Sequence, residues 1–157
     1  MKCIILFLLI TSVNTGSFSQ PTLTKGAQKR LNSALEETFQ TPYLSFLPDK
    51  GVEGLYQIII RDMEKGHALF RSAKGRYEEF DFLVLFSTEW TILKVEILVY
   101  RSDHGYEIMN KNWLSQFNGK TGCELTYGNE IDAISGATLS GNSLTETISK
   151  FCESRNP

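Results

Sequence analysis

Between Leu55 and Tyr100 the chain gathers β-branched and aromatic residues again and again, and this constrains its fold more than any other feature. Leu55-Tyr56-Gln57-Ile58-Ile59-Ile60-Arg61 reads as a strand, Asp62 to Gly66 as a turn, and His67-Ala68-Leu69-Phe70-Arg71 as the strand returning. Phe80 to Ser87 and Thr91 to Tyr100 are two further strands, with Ser87-Thr88-Glu89-Trp90 as the hairpin connection between them. In the last strand, Ile92, Val95, Ile97 and Val99 alternate with Lys94 and Glu96, which predicts one buried and one wetter face.

Helical spacing brackets this region. Ala27, Leu31, Ala34, Leu35, Thr38 and Phe39 recur on one face, with Lys29, Arg30, Glu36 and Glu37 between them. This amphipathic helix ends near Thr41-Pro42, and its apolar face is expected to pack on the sheet. Trp113, Leu114 and Phe117 mark a short helix stopped at Asn118-Gly119, where glycine favours a left-handed cap. Leu144, Ile148 and Phe151 stand at i, i+4 and i+7, the buried face of a last helix. With 157 residues, the expected fold is one α+β domain: a mostly antiparallel sheet flanked by an N-terminal and a C-terminal helix.

The first residues read as an export signal. Lys2 precedes the apolar run Ile4 to Ile10, small polar residues follow, and Ser17-Phe18-Ser19 resembles a cleavage site ahead of Gln20. The run is too short to anchor in a bilayer, so removal is expected to leave a soluble exported protein, periplasmic or otherwise extracytoplasmic. The expected organisation is a signal peptide at 1–19, a leader at 20–26 and the domain at 27–157. Cleavage takes away one lysine and no acid, so 16 basic and 18 acidic residues become 15 and 18. A mildly acidic chain without a basic stripe argues against nucleic acid as partner. Cys123 and Cys152 outlast cleavage. Export makes a disulfide between them chemically feasible, while two half-buried thiols fit the sequence equally well.

The segment with the clearest chemistry is Asp132-Ala133-Ile134-Ser135-Gly136-Ala137-Thr138-Leu139-Ser140, directly before the last helix. Backbone N–H groups at a helix start lack intrahelical partners and favour an anion. Gly136 lets the backbone turn and approach closely, and Ala137 adds little bulk. Ser135, Ser140 and Ser143 supply hydroxyls, and Ser140 or Asn142 is a candidate helix cap. Thr138 presents a hydroxyl that can be esterified to a phosphate. It is a poor nucleophile with no evident general base beside it, so self-modification is not expected.

The stretch Asp-Ala-x-Ser-Gly-Ala-Thr-x-Ser resembles the flavinylation motif of the FMN-binding domain family, which includes the C subunit of the sodium-pumping NADH:quinone reductase and the G subunit of the Rnf complex. In that family the threonine of Ser-Gly-Ala-Thr carries FMN through a phosphoester bond, placed there by a separate flavin transferase that cleaves FAD. The resemblance implies covalent FMN on Thr138, with Asp132, Ser135, Gly136, Ala137, Leu139 and Ser140 around it. It extends less sharply upstream to about Phe82, through Gly105 and Trp113 to Lys120. Family members often carry Glu-Thr-Pro-Gly after the preceding strand, where this chain has Ser102-Asp103-His104-Gly105.

A flavin ring needs an apolar or aromatic wall. Tyr106, Trp113 and Phe117, which lie between the loop and the motif, are candidates, as are Tyr127 and Leu139 close to Thr138, with core packing the competing use of each. His67 and His104 have no carboxylate or cysteine neighbours at ligand spacing, so no metal site is expected. Asp62, Glu64 and Lys65 read as a solvated turn, and Glu78, Glu79 and Asp81 as a solvent-facing acidic cluster suited to a basic partner. The expected function is an extracytoplasmic electron carrier, more a redox subunit than a stand-alone enzyme. Its expected partners are a flavin transferase and a membrane-bound or extracytoplasmic redox protein. The competing reading is a secreted, non-redox binding module with an unmodified loop. A hydrolase using Ser135 or Thr138 lacks a base and a triad order.

Overall fold

In the computed structural model, which describes residues 23–155, helix α1 (Lys25–Phe39) opens two residues earlier than its apolar pattern. The reason is its cap: Thr24 holds an extended backbone and its hydroxyl accepts the Ala27 N–H at 3.3 Å. Gln40, in the left-handed region, closes the other end by donating its N–H to the Glu36 carbonyl. The predicted signal peptide lies outside the described residues. Of the predicted leader, Lys25 and Gly26 already belong to α1.

Five strands follow as an antiparallel meander, in sheet order β1 to β5. They are β1 (Ser45–Pro48), β2 (Leu55–Ile60), β3 (Met63–Lys74), β4 (Glu79–Phe86) and β5 (Ile92–Val99). The β2–β3 turn corrects the sequence reading. It is the tight pair Arg61-Asp62, both at positive φ, and the segment Met63–Gly66 that was expected to turn belongs to β3. Gly66 is there for a close approach: a Cβ would lie 2.1 Å from the Phe86 carbonyl oxygen. Asp62, Glu64 and Lys65 are all exposed, and Glu64 also reaches the His67 ring, 3.0 Å away. Strand β3 runs on to Lys74, three residues beyond its expected end.

Both faces of the sheet are covered. Phe80, Phe82, Val84 and Phe86 of β4 point to one side, with Leu69, Ile92, Val95 and Ile97. There they meet Leu144, Ile148 and Phe151 of the last helix, α3 (Thr138–Arg155). Leu83 and Leu85 point the other way, to Ala27, Leu31, Ala34 and Leu35 of α1. The face of β5 expected to be wetter is therefore covered too. Glu96 is buried beneath α1 with Arg30 at 3.9 Å, and burial raises its carboxyl above the ordinary value. Lys94 pairs with Glu37 of α1 at 2.7 Å.

After β5 the chain makes a 3-10 turn (Tyr106–Met109), the short helix α2 (Lys111–Leu114) and a second 3-10 turn (Ser115–Phe117), ending at Gly119 with φ +80°. Asn110 caps α2 with its side-chain oxygen on the N–H groups of Asn112 and Trp113. Cys123 and Cys152 are joined in a disulfide, with Cα atoms 5.1 Å apart, tying the loop before the motif to the end of α3. None of the described helices is long and apolar enough to cross a membrane.

Candidate functional site

The backbone of Asp132–Ile134 is pinned from behind before it reaches the motif. Trp113 donates its indole N–H to the Asp132 carbonyl at 2.7 Å, and Gln116 accepts the Asp132 N–H at 2.9 Å. Tyr127 accepts the Ile134 N–H at 2.8 Å, and its ring lies so close to α3 that a Cβ on Gly141 would meet it at 2.6 Å. These aromatics thus hold the protein chain. Trp113 and Phe117 are buried and packed edge to face, with ring centres 5.6 Å apart.

The chain then turns at Gly136, φ +85°, and enters α3. The Gly141 N–H bonds back to the Ala137 carbonyl at 2.8 Å, so Ala137 is the capping residue and Thr138 the first of the helix. Neither Ser140 nor Asn142 caps it, because both lie inside the helix. The Ser140 hydroxyl instead sits 2.9 Å from the Tyr100 hydroxyl, which donates to the His104 carbonyl at 2.8 Å. That chain of bonds clamps the loop after β5 onto α3. Gly105 is required beneath it: its φ is +86°, and a Cβ would meet the Tyr100 hydroxyl at 2.5 Å.

A cleft of about 360 Å³ opens over the start of α3, within the size range of small-molecule sites. Its walls are Gly136 to Ser140, the loop Asp103 to Glu107, and Arg76. Thr138 and Leu139 line it and are exposed, and the first-turn N–H groups of α3 have no partner within the helix. Arg76 arrives from the β3–β4 turn, which is anchored to α3 by the Lys74 N–H donating to the Ser143 hydroxyl at 3.1 Å. It is the one Lys or Arg among the lining residues. Its guanidinium lies 5.3 Å from the Tyr77 ring centre, and that ring is 5.9 Å from the His104 ring. Tyr77, Tyr106 and Leu139 are each more than half exposed, so three large apolar surfaces belong to the cleft or its edge.

Of the residues expected at the site, Tyr106, Gly136, Ala137, Thr138, Leu139 and Ser140 come together on this cleft. Asp132, Ser135 and Trp113 do not line it. Asp132 and Ser135 are exposed on the entering loop, and Trp113 is a buried strut behind it. Arg76 and Glu107 line it although no motif marks them. Only the antiparallel β3–β4 connection and the 3-10 turn bring them there, and neither leaves a local spacing pattern. Glu78 and Glu79 are exposed as expected, whereas Asp81 is engaged by Arg101 and by the Ser72 hydroxyl. His67 lies away from the cleft, stacked on Trp90 with ring centres 3.9 Å apart.

The profile of the FMN-binding domain family matches residues 75–153, which begins at the β3–β4 turn and ends in α3. Among solved structures, the chain is similar to NqrC from Shewanella oneidensis, with a TM-score of 0.50 and 18% identity. That likeness covers 62% of this chain and 54% of that one, so the chain spans about half of the solved structure's length, and the likeness speaks to the fold. No curated protein matches. The matched segment takes in every wall of the cleft and just over half of the chain, which belongs to the FMN-binding domain family.

Proposed function

We propose that this protein is an extracytoplasmic electron carrier holding FMN through a phosphoester to Thr138. The observation that carries the reading is Thr138, exposed at the first position of α3 and lining a cleft. A phosphodiester there meets the unpartnered first-turn N–H groups and the positive end of the helix dipole. Arg76 supplies a balancing cation from the facing turn. The exposed surfaces of Tyr77, Tyr106 and Leu139 suit an aromatic ring that must rest partly in water. When bound, FMN supplies one- and two-electron redox chemistry. The protein's own residues bind and orient it, and the covalent tether prevents its loss by diffusion.

Attachment by a dedicated flavin transferase fits the absence of a paired base at Thr138: among the described residues no hydrogen bond activates its hydroxyl. The Cys123–Cys152 disulfide favours an oxidising compartment, in line with the signal-like Met1–Ser19 segment. The redox partner is proposed to be membrane-bound or extracytoplasmic. A non-redox binding module is the competing reading. Expression with a flavin transferase, followed by denaturing electrophoresis, separates them: in-gel flavin fluorescence in the wild type, absent in Thr138→Ala, supports the carrier. A colourless wild type beside a fluorescent control substrate contradicts it.

A further inference from the structure

Glu107 is the least explained residue of the cleft. Its carboxylate lies directly over Gly136, where a Cβ would come 2.7 Å from Cδ and 2.8 and 3.0 Å from the two oxygens. Oε2 is buried and has no hydrogen-bond partner among the described residues, although Glu107 lines the cleft. A buried carboxylate oxygen without a donor is costly, so its retention calls for a donor from outside the chain. The buried residue of this 3-10 turn is the next one, Ile108, which is in the core. A carboxylate only accepts, so the missing group must be an N–H or O–H.

We propose that Glu107 accepts a hydrogen bond from the ribityl hydroxyls of FMN tethered at Thr138, an inference that rests on the flavin reading. FMN has two kinds of donor, the ribityl hydroxyls and the ring N3–H. The ribityl chain follows the phosphate directly, and the Glu107 carboxylate packs on the residue two positions before the attachment point. The ring N3–H lies at the far edge of the cofactor. Two charged residues of the cleft wall thus divide the tether: Arg76 balances the phosphodiester, and Glu107, which packs on Gly136, takes the polyol that follows it. Asp103, the other acidic residue of the wall, is exposed.

The test compares unfolding temperatures of wild type, Glu107→Met and Glu107→Gln, each prepared unmodified and flavinylated, with the FMN content of every sample verified by intact mass. Methionine keeps the length and removes the strong acceptor; glutamine keeps one neutral acceptor. In the unmodified protein Glu107→Met is expected to match or exceed wild type, because the orphaned oxygen is gone. The gain in unfolding temperature on flavinylation is expected to be smaller in Glu107→Met than in wild type by roughly 3 °C or more, with Glu107→Gln between them. Packing losses cancel within each pair, so a merely structural role leaves the three gains equal, and equal gains overturn the proposal. A wild type that takes up no FMN beside a modified control substrate overturns the flavin reading itself, and the mass measurement tells the two failures apart.

Discussion

Gly136 shows how closely one residue governs the site. Its φ of +85° lies where a side chain is strained, and the space above it is filled by the Glu107 carboxylate. Gly136→Ala is expected to destabilise by about 1–3 kcal/mol, combining left-handed strain with displacement of Glu107. Adding Glu107→Ala removes the collision and leaves the strain. The double substitution should therefore cost less than the sum of the single ones, as measured by denaturant unfolding, whereas strict additivity would contradict the packing described. The motif residues on the cleft were legible in sequence because they are contiguous and act partly through backbone geometry. Arg76 and Glu107 were not, since each is a single polar residue in a short connection. Trp113 was misplaced for a related reason: an aromatic between loop and motif serves equally as a ring wall or a strut, and its N–H found the Asp132 carbonyl.

Among the elements, α1 was legible down to its buried face, because a helix on a sheet needs its apolar positions at the spacing seen in Ala27, Leu31, Ala34 and Leu35. The β2–β3 turn was not. Arg61-Asp62 lacks the glycine or asparagine that advertises a two-residue turn, while Gly66, kept for its closeness to Phe86, imitated one. Strand β1 escaped for its brevity: Ser45-Phe46-Leu47-Pro48 pairs only with β2 and ends in a proline that an edge tolerates. The seam between α1 and the elements beneath it carries a pH signature. Glu37 bonds Lys94 of β5 at 2.7 Å and Lys111 of α2 at 3.3 Å. Its hydrogen bond from Lys94, helped by Ser33 and Lys111, lowers the carboxyl from 4.5 to about 2. A depressed carboxyl stabilises the fold fully above pH 4.5, and the contribution fades as the pH falls towards 2. Glu37 is exposed and Lys94 only half-buried, so the effect is small and screened by salt. Glu37→Gln should be slightly less stable than wild type at pH 7 in low salt, with the difference shrinking below pH 4.5 and vanishing only once the pH has fallen through about 2. A difference that persists in acid would assign the loss to something other than charge.

At the scale of the whole molecule, one sheet is sandwiched between α1 and α3, and the cleft forms where α3, the β3–β4 turn and the loop after β5 converge. The disulfide sits at the other end of α3 from Thr138, fourteen positions along a helix that rises about 1.5 Å per residue. It therefore secures the helix without touching the site. It closes a loop with a sequence separation of 29, for which chain-entropy arguments give about 3–4 kcal/mol. Cys152→Ser should lower stability by about 2–4 kcal/mol in denaturant unfolding while leaving FMN incorporation unchanged. Loss of incorporation in a folded Cys152→Ser protein would mean that the two ends of α3 are coupled. The measurement that bears most directly on the central claim is the intact mass of the denatured protein after expression with an active flavin transferase, followed by fragmentation of the modified peptide. The expected result is a gain of one FMN less one water, located on Thr138 and absent from Thr138→Ala. An unchanged mass beside a modified control substrate, or a modification at another residue, would contradict it.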